Sequence, residues 1–275
     1  MKKPIAIQGI KGSFHHQVAQ QYFSINAEVV ECMSFDSAVD TLLQGDTDNI
    51  VMALENSIAG SIIPNYALID NYNLSIVGEY YLDIQHNFLA LTGQTIASIL
   101  EVHSHPMALL QCKDFFKNLP HIKLVEAKDT ADVAKQIAKQ GIKGIAAIAS
   151  KNAAELYGLN VLAESIQTIK HNETRFVIVK RKNDEIERKG LNKSSLKFEL
   201  NHKRGSLATI LNVVSDCKLN LTKIQSLPKI ETPWKYAFFV DVTFKDYKDY
   251  KKASSIIQLM AENYKVLGEY KNTRL

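Results

Sequence analysis

The chain has 275 residues, of which 46% are hydrophobic and 23% charged, a composition that excludes intrinsic disorder and supplies enough core for two or three domains. Its 33 basic residues barely outnumber its 29 acidic ones, which excludes a strongly basic nucleic-acid face but permits a small anionic ligand. No segment approaches the roughly 20 apolar residues of a membrane span, and the first residues lack a signal peptide's apolar core, so we expect a cytoplasmic protein without membrane or nucleic-acid partners.

The first 75 residues alternate predicted strands (4–10, 28–32 and 50–54) with predicted helices (13–23 and 35–44). Gly9, Gly12 and Ser13 form a turn from strand to helix, with Ser13 as the helix N-cap. Such a turn suits a carboxylate or phosphate, but it serves equally well as a purely structural turn. It has neither the third glycine of a dinucleotide fingerprint nor the lysine of a P-loop.

Polar side chains follow the strand at 50–54, where Glu55, Asn56 and Ser57 supply a carboxylate, an amide and a hydroxyl. Further strands are predicted at 74–82, 87–91, 100–103, 123–127, 145–149 and 161–163, with helices at 106–116, 130–140 and 150–157. His103 and His105 would share one face of a strand and could bind a metal. Because no acidic or cysteine partner accompanies them, we predict no metal site.

The segment His171–Lys180 (HNETRFVIVK) carries a polar cluster that runs into an apolar strand. It is either an ordinary strand with a solvated start or a third strand end that carries chemistry. Alternating strands and helices predict parallel sheets built from βαβ units. We predict two lobes, the first from 1–75 and 165–181 and the second from 76–164, with the polar strand ends facing each other across a cleft.

A charged stretch without periodicity, residues 182–194, is predicted to be a linker. Residues 195–275 then show the order βαββαβ of a ferredoxin-like module, which binds a ligand or dimerises. Its predicted strands are 196–200, 220–227, 236–244 and 266–270, and its helices are 205–216 and a stripe from Tyr247 to Tyr264. The three cysteines (Cys32, Cys112 and Cys217) are odd in number and far apart, and we interpret them as reduced core residues.

Seven stretches, in this order, resemble the bacterial prephenate dehydratases that carry a C-terminal ACT regulatory domain. They are GIKGSFHHQVA, ALENSIAGSI, SHPMALLQC, AAIASKNAAELYGL and NETRFVIV, followed in the last module by GSLATIL and IQSLP. The resemblance spans essentially the whole chain. It implies a two-lobed α/β catalytic region similar to type II periplasmic binding proteins, followed by the regulatory ACT domain.

The resemblance also implies an activity: conversion of prephenate to phenylpyruvate with loss of water and carbon dioxide, in phenylalanine biosynthesis. No cofactor or metal is expected, because forming an aromatic ring supplies the driving force. By this resemblance Thr174 is the catalytic residue, a hydrogen-bond donor to the departing hydroxide. The residues implied in substrate binding are Ser13, Asn56, Ser57, Arg175, Ser104, His105 and Gln111. Arg175 either pairs with a substrate carboxylate or orients Thr174, and we interpret Cys112 as core.

The sequence departs from the family pattern at several positions. Met107 stands where the family usually has glutamine, and His15 where it often has threonine. In the module, Gln225–Pro228 (QSLP) replaces the usual ESRP and loses both of its charges. The family's L-phenylalanine site corresponds here to Gly205, Ser206, Leu207, Ala208, Gln225, Ser226 and Pro228. The resemblance further implies L-phenylalanine as the effector and a homodimer or homotetramer.

Two alternatives remain. An arogenate dehydratase would perform the same elimination on an amino rather than a keto side chain. A non-catalytic amino-acid sensor would use the two lobes for binding alone. The combination of Ser13, Asn56, Thr174 and Arg175 favours catalysis, because a pure binder needs no hydroxyl donor beside an arginine at a strand end.

Overall fold

The computed structural model describes residues 3–182, 190–201, 203–229 and 235–274. Most of the predicted linker (182–194) lies outside the described residues, although the following strand already begins at Lys193. The first part of the chain forms β1 (Ile5–Gln8), α1 (Phe14–Tyr22), β2 (Val29–Cys32), α2 (Phe35–Gln44), β3 (Asn49–Asn56), β4 (Gly60–Ser61), α3 (Ile63–Asn71) and β5 (Leu74–Asp83).

The middle of the chain contains five strands and four helices. They are β6 (Asn87–Ala90), β7 (Glu101–Ser104), α4 (Pro106–Gln111), α5 (Lys113–Lys117), β8 (Lys123–Glu126), α6 (Thr130–Gln140), β9 (Ile145–Ala149), α7 (Lys151–Tyr157) and β10 (Asn160–Ala163). The last part contains β11 (Glu173–Arg181), β12 (Lys193–Glu199), α8 (Ser206–Asp216), β13 (Asn220–Pro228), β14 (Tyr236–Thr243), α9 (Tyr247–Met260) and β15 (Glu262–Tyr270).

The described residues form two compact units, and β11 passes from one to the other. Unit 1 lies within Met1–Gly60 and Leu82–Phe176, and unit 2 lies within Ser61–Tyr81 and Val177–Leu275. Both predicted lobes therefore contribute to unit 1. Residues 61–81, which we had placed with the lobes, group with the C-terminal module instead. The exact domain boundaries stay a prediction.

Unit 1 contains two sheets. In the first, β1 lies between β2 and β3 and is parallel to both, as βαβ units predict. The second has the order β10-β6-β9-β7-β8, and here the prediction of a parallel sheet is only partly right. Strand β7 is parallel to β8 and β9, but β6 runs antiparallel to β9 and β10. Strand β6 is inserted between two strands of a βαβ unit, which periodicity along the chain does not reveal.

Apolar side chains cover both faces of the second sheet. Phe88, Val102 and Ile148 pack against α4 and α5 on one face, while Leu89, Ala147 and Ala149 pack against α6 and α7 on the other. The predicted helix at 106–116 is in fact two short helices that meet at Cys112, whose backbone (φ −101°, ψ 4°) leaves the helical region. All three cysteines are buried and unpaired, as predicted.

Unit 2 contains the predicted βαββαβ module, whose strands run in the order β13-β14-β12-β15, with β5 beside β15. Helices α8 and α9 bury one face of this sheet around Phe198, Val242 and Tyr250. Tyr264 lies in β15, not in the predicted helical stripe, because α9 ends at Met260. Gly268 is required where β15 meets β5, since a Cβ there would lie 2.1 Å from the carbonyl oxygen of Ile76.

Residues 61–81 bind to the module sheet through polar contacts, which explains their place in unit 2. Asp70 pairs with Lys197 at 2.8 Å and Lys265 at 2.5 Å. Glu79 and Lys193 form a 2.7 Å ion pair in which the side chains are 0% and 4% exposed. No helix among the described residues is long and apolar enough to cross a membrane.

Candidate active site

Asn56, the last residue of β3, lies at the centre of a hydrogen-bonded cluster in unit 1. Its Oδ1 accepts hydrogen bonds from the backbone amides of Ile58 (3.0 Å) and Ala59 (2.8 Å). Its Nδ2 donates to Oδ1 of Asn172 at 2.7 Å and to Oγ1 of Thr174 at 2.9 Å. The two backbone amides fix the orientation of the Asn56 amide, since only its oxygen can accept from them.

The start of β11 is held directly beside this residue. Ser57 and Glu173 exchange two hydrogen bonds, from Ser57 N to Glu173 O (2.8 Å) and from Glu173 N to Ser57 Oγ (3.0 Å). Thr174 is 7% exposed and Asn172 is fully buried. Two of the three polar strand ends, at 55–57 and 172–175, therefore bond directly to each other, although they are more than 110 residues apart in the sequence. The predicted arrangement of all three across a cleft stays a prediction.

Gln111 and His86 extend the cluster from Asn172. Oε1 of Gln111 lies 2.9 Å from Nδ2 of Asn172 and 2.9 Å from Nε2 of His86. His86 is 4% exposed, and burial lowers its pKa to about 4, against a smaller opposing effect of the Gln111 hydrogen bond. The imidazole is therefore neutral at neutral pH. Its Nδ1 is buried and has no hydrogen-bond partner among the described residues.

The predicted turn at Gly9–Ser13 has a chiefly structural role. Ser13 caps α1 by accepting from His16 N at 3.2 Å, and among the described residues no hydrogen bond joins it to Thr174. The amides of Gly9 and Lys11 already donate to Cys32 O and to Glu31 Oε1, and that of Gly12 to His16 Nδ1. These amides are not available to an anion, which favours the structural interpretation.

The second predicted lobe packs closely on the same turn. Gly12 has φ +91°, and a Cβ there would lie 3.2 Å from Cα of Ala153 on α7. Gly9 has φ +88°, and a Cβ there would lie 2.8 Å from Oδ2 of Asp129, whose pKa is raised by burial. Glycine is therefore needed at both positions, for backbone conformation and for space.

Ser104 and His105 are placed differently from each other. Ser104 is fully buried, and its hydroxyl donates to Ile148 O at 2.7 Å, so it braces β7 against β9. His105 is exposed and begins α4, with Nδ1 accepting from Met107 N at 3.2 Å. Arg175, 3% exposed, lies beside Thr174 in β11, and its two predicted roles stay open.

The statement that the histidine pair has no acidic partner is wrong for His103. Its Nε2 lies 2.8 Å from Oε2 of Glu101, two residues earlier on the same face of β7. His105 does not share that strand, because β7 ends at Ser104. Within the described ranges, no three His, Cys, Asp or Glu side chains are grouped so that they could hold a metal ion. Cys112 is fully buried, and burial raises the pKa of its thiol to about 12, which agrees with its assignment to the core.

Sequence analysis missed two members of the cluster, Asn172 and His86. Asn172 stands in the polar segment that drew attention to Thr174, directly before β11, and its spacing of two residues from Thr174 was a signal that both side chains point to one side if the extended backbone begins at Asn172. His86 gave no such signal. Its link to the cluster depends on Gln111, which comes from a different part of the chain.

The C-terminal module contains a separate cavity of about 150 Å³. Two of the residues predicted to bind L-phenylalanine, Ser206 and Leu207, line it, together with Leu200, Asn201, Lys203, Lys235, Tyr236 and Phe238. The other five predicted residues are not among its lining residues. Gln225, Ser226 and Pro228 lie on β13, which is the outer strand of the module sheet.

The sequence and the fold are both similar to those of known proteins. The prephenate dehydratase family model matches residues 5–184. An arogenate dehydratase/prephenate dehydratase of the Arabidopsis thaliana chloroplast is 37% identical over 246 residues, 86% of this chain and 64% of the relative. A bifunctional chorismate mutase/prephenate dehydratase of Enterobacter agglomerans is 33% identical over 270 residues, 97% of this chain and 70% of the relative. The chain thus spans less than two thirds of the plant protein.

Two solved structures share the fold over nearly the whole chain. Prephenate dehydratase of Arthrobacter aurescens in complex with L-Phe has a TM-score of 0.88 at 24% identity, covering 98% of this chain and 90% of that one. A quorum-quenching acylase has a TM-score of 0.86 at 27% identity, covering 98% of both chains. The family model covers more than half of the sequence, and the Enterobacter relative matches nearly all of it. The chain belongs to the prephenate dehydratase family.

Proposed function

We propose that this chain converts prephenate to phenylpyruvate, releasing water and carbon dioxide, with Thr174 as the hydrogen-bond donor to the departing hydroxyl group. One observation carries the proposal: Oγ1 of Thr174 accepts a hydrogen bond from Nδ2 of Asn56 at 2.9 Å. A hydroxyl oxygen that accepts in this way directs its own hydrogen elsewhere. That hydrogen is then available for a substrate oxygen.

The reaction needs little beyond such a donor. In prephenate, the ring carboxylate and the ring hydroxyl leave from opposite ends of a dihydro ring, and the electrons of the broken carbon–carbon bond complete the aromatic system. The carbon–oxygen bond breaks as negative charge develops on the leaving oxygen. A fixed donor that stabilises this charge commonly contributes 10²-fold or more to the rate. Threonine is a weak acid, so proton transfer is late or shared with solvent.

The remaining substrate contacts are assigned by position around Thr174. Ser57 and His105 are exposed; Ser57 directly follows Asn56, and His105 begins the helix that ends at Gln111. Gln111 itself belongs to the cluster. Arg175 follows Thr174 in β11, and its cation would pair with a substrate carboxylate or orient the threonine. The Ser104 hydroxyl already donates to Ile148 O and is assigned a supporting role, whereas Ser13 Oγ accepts from His16 N and keeps its hydrogen available to a substrate group.

The C-terminal module is proposed to be an ACT regulatory domain that binds L-phenylalanine and assembles the chain into a homodimer or homotetramer. Its strand order and the cavity lined by Ser206 and Leu207 support this assignment. So does the structural relative, which was solved in complex with L-Phe. L-phenylalanine, the end product of the biosynthetic pathway to which this reaction belongs, would act as a feedback inhibitor.

The direct test is to add prephenate to the purified full chain and to follow phenylpyruvate by its enolate absorbance. Arogenate is assayed in parallel by phenylalanine release, since the plant relative is named for both substrates. An N-acyl homoserine lactone serves as a third substrate, because one structural relative is an acylase. Turnover of prephenate supports the proposal. Turnover of arogenate alone would reassign the substrate, and cleavage of the amide bond that carries the acyl group, as the sole activity, would refute dehydration.

A further inference from the structure

A continuous chain of side-chain hydrogen bonds connects His86 to Thr174 inside unit 1. Its members come from four separate parts of the sequence, and each of the four links is between 2.7 and 2.9 Å long. In order they are His86, Gln111, Asn172, Asn56 and Thr174. Three of these members are amides, which can be turned either way unless a neighbour fixes them.

The donor and the acceptor of every hydrogen bond in this series follow from the orientation of Asn56. Two backbone amides donate to Oδ1 of Asn56, so its Nδ2 must face Asn172 and Thr174. Asn172 must then present its oxygen to Asn56 and its Nδ2 to Gln111. Gln111 in turn must present Oε1, which can only accept.

His86 completes the deduction at the other end. Because Oε1 of Gln111 accepts, Nε2 of His86 has to carry the hydrogen. In a neutral imidazole the other nitrogen, Nδ1, then holds a lone pair, and this atom is the buried one without a hydrogen-bond partner among the described residues. The ring is further held by an edge contact with Phe14 at 5.6 Å, and its backbone amide donates to Gln167 Oε1 at 3.0 Å.

We propose that His86 and Asn172 are positioning residues for the dehydration: the backbone amides decide which atom of Asn56 faces Thr174, and the bonds through Gln111 to Asn172 hold that amide in place, so that the Thr174 hydrogen stays directed at the leaving group. This inference rests on the proposed function. Neither residue is required to touch the substrate, since His86 and Asn172 are 4% and 0% exposed. In this buried series of hydrogen bonds, no amide can turn over without breaking a hydrogen bond to its neighbour.

The first test asks which atoms donate and which accept in this series of hydrogen bonds, and it needs no measurement of activity. In the wild-type protein, ¹⁵N-detected NMR of the histidine rings at neutral pH reports which nitrogen of His86 carries hydrogen, with His86→Gln used to assign the signal. We expect the Nε2–H form. The Nδ1–H form would overturn the inference whether or not the protein turns over prephenate, so this result is independent of the proposed function.

The effect on the reaction is tested with paired substitutions. His86→Leu removes the donor to Gln111, and we expect kcat to fall about 10- to 100-fold with KM changed by less than about threefold, as for a small misplacement of a catalytic group. His86→Gln offers an amide hydrogen near the position of Nε2 and should recover most of kcat. His121→Gln, at an exposed histidine, is the matched control.

Asn172→Asp provides a second route that does not depend on His86→Leu folding. The new carboxylate still accepts from Asn56 but cannot donate to Gln111, so the Gln111 amide gains by turning over. His86 should then change to the Nδ1–H form, and kcat should fall. Wild-type kcat in both His86→Leu and Asn172→Asp would overturn the proposal. So would equal loss in His86→Leu and His86→Gln that merely follows the fraction of folded protein.

Discussion

Nδ2 of Asn56 donates to Oγ1 of Thr174 at 2.9 Å, so a residue at the end of one strand determines which way a hydroxyl at the start of another can donate. This single bond joins segments that are 118 residues apart in the sequence. Under the proposed function the two residues have unequal roles, because the Thr174 hydroxyl would donate to the substrate only while Asn56 donates to Thr174. The first two predictions separate these roles.

Thr174→Ala should lower kcat for prephenate by about 100-fold or more, because it removes the donor to the leaving oxygen. KM should change little, since most substrate contacts remain. Thr174→Ser keeps the hydroxyl and should retain a large part of kcat. Steady-state kinetics give both constants, and thermal unfolding checks that each variant folds. Near-normal turnover by Thr174→Ala would remove Thr174 from the mechanism.

Asn56→Asp should lower kcat nearly as much as Thr174→Ala does, although it only replaces the side-chain NH2 group with an oxygen. The carboxylate still accepts from Ile58 N and Ala59 N, but its second oxygen now accepts from Thr174 as well. The hydroxyl hydrogen is thereby diverted from the substrate, and kcat should fall by about 100-fold. Asn118→Asp, at an exposed asparagine, is the control and should behave like wild type. Full activity of Asn56→Asp would mean that the Thr174 hydrogen is not directed by Asn56.

His86 should make the protein less stable in mild acid. Its pKa falls from 6.5 to about 4 on folding because of burial, so the unfolded chain binds the proton more readily between these values. The contribution of neutral, buried His86 to the free energy of unfolding is fully present above pH 6.5 and is lost as the pH falls towards 4. At pH 5 the loss relative to pH 8 is about 2 kcal/mol.

Urea unfolding of wild type and His86→Gln at pH 8 and pH 5 measures this difference. Other groups that titrate in this range, including the carboxylates, contribute equally to both proteins and cancel in the comparison. The stability of His86→Gln should therefore depend less on pH by about 2 kcal/mol. The same pH dependence in both proteins would mean that His86 is not buried in its neutral form.

Lys193→Met should destabilise the protein by about 3–5 kcal/mol, because it leaves Glu79 as a buried carboxylate without its ammonium partner. The two side chains are 4% and 0% exposed and lie 2.7 Å apart. The double variant Lys193→Met with Glu79→Gln should lose less than the sum of the two single changes. Lys117→Met breaks an ion pair with side chains 66% and 51% exposed and should cost less than about 1 kcal/mol. Additive losses would show that the buried pair is not coupled.

L-phenylalanine should bind to the full chain with measurable heat and should inhibit prephenate turnover. Leu207→Arg places a charge in the 150 Å³ cavity and should abolish both effects while leaving basal turnover unchanged. Ser215→Arg, at an exposed residue farther along α8, should retain them. Isothermal calorimetry measures the binding, and inhibition assays measure the effect on prephenate turnover. No heat and no inhibition at millimolar L-phenylalanine would show that the charges missing from residues 225–228 were needed.

Local signals predicted most of the elements closely. Helix α2 begins after Ser34, whose side chain accepts from Ser37 N, and ends at Gly45 with φ +82°, as the capping residues indicated. Helix α6 and strand β9 also have their predicted bounds. Helix α3 was not predicted, and two further errors occurred where two elements share one pattern. The apolar spacing of 106–116 continues across the break at Cys112, and that of 247–264 continues across the end of α9.

By itself, the sequence determined most of the strands and helices, the buried cysteines and the family, and it nominated Thr174, Asn56 and Gln111 as candidate site residues, because these depend on local periodicity, capping and short motifs. Only the tertiary structure decided that β6 runs against its neighbours, that residues 61–81 pack on the C-terminal module, and that Asn172 and His86 complete the cluster. These features depend on pairings between distant segments. Hydrogen-bond direction is a property of the assembled neighbours, so no single stretch of the chain contains it.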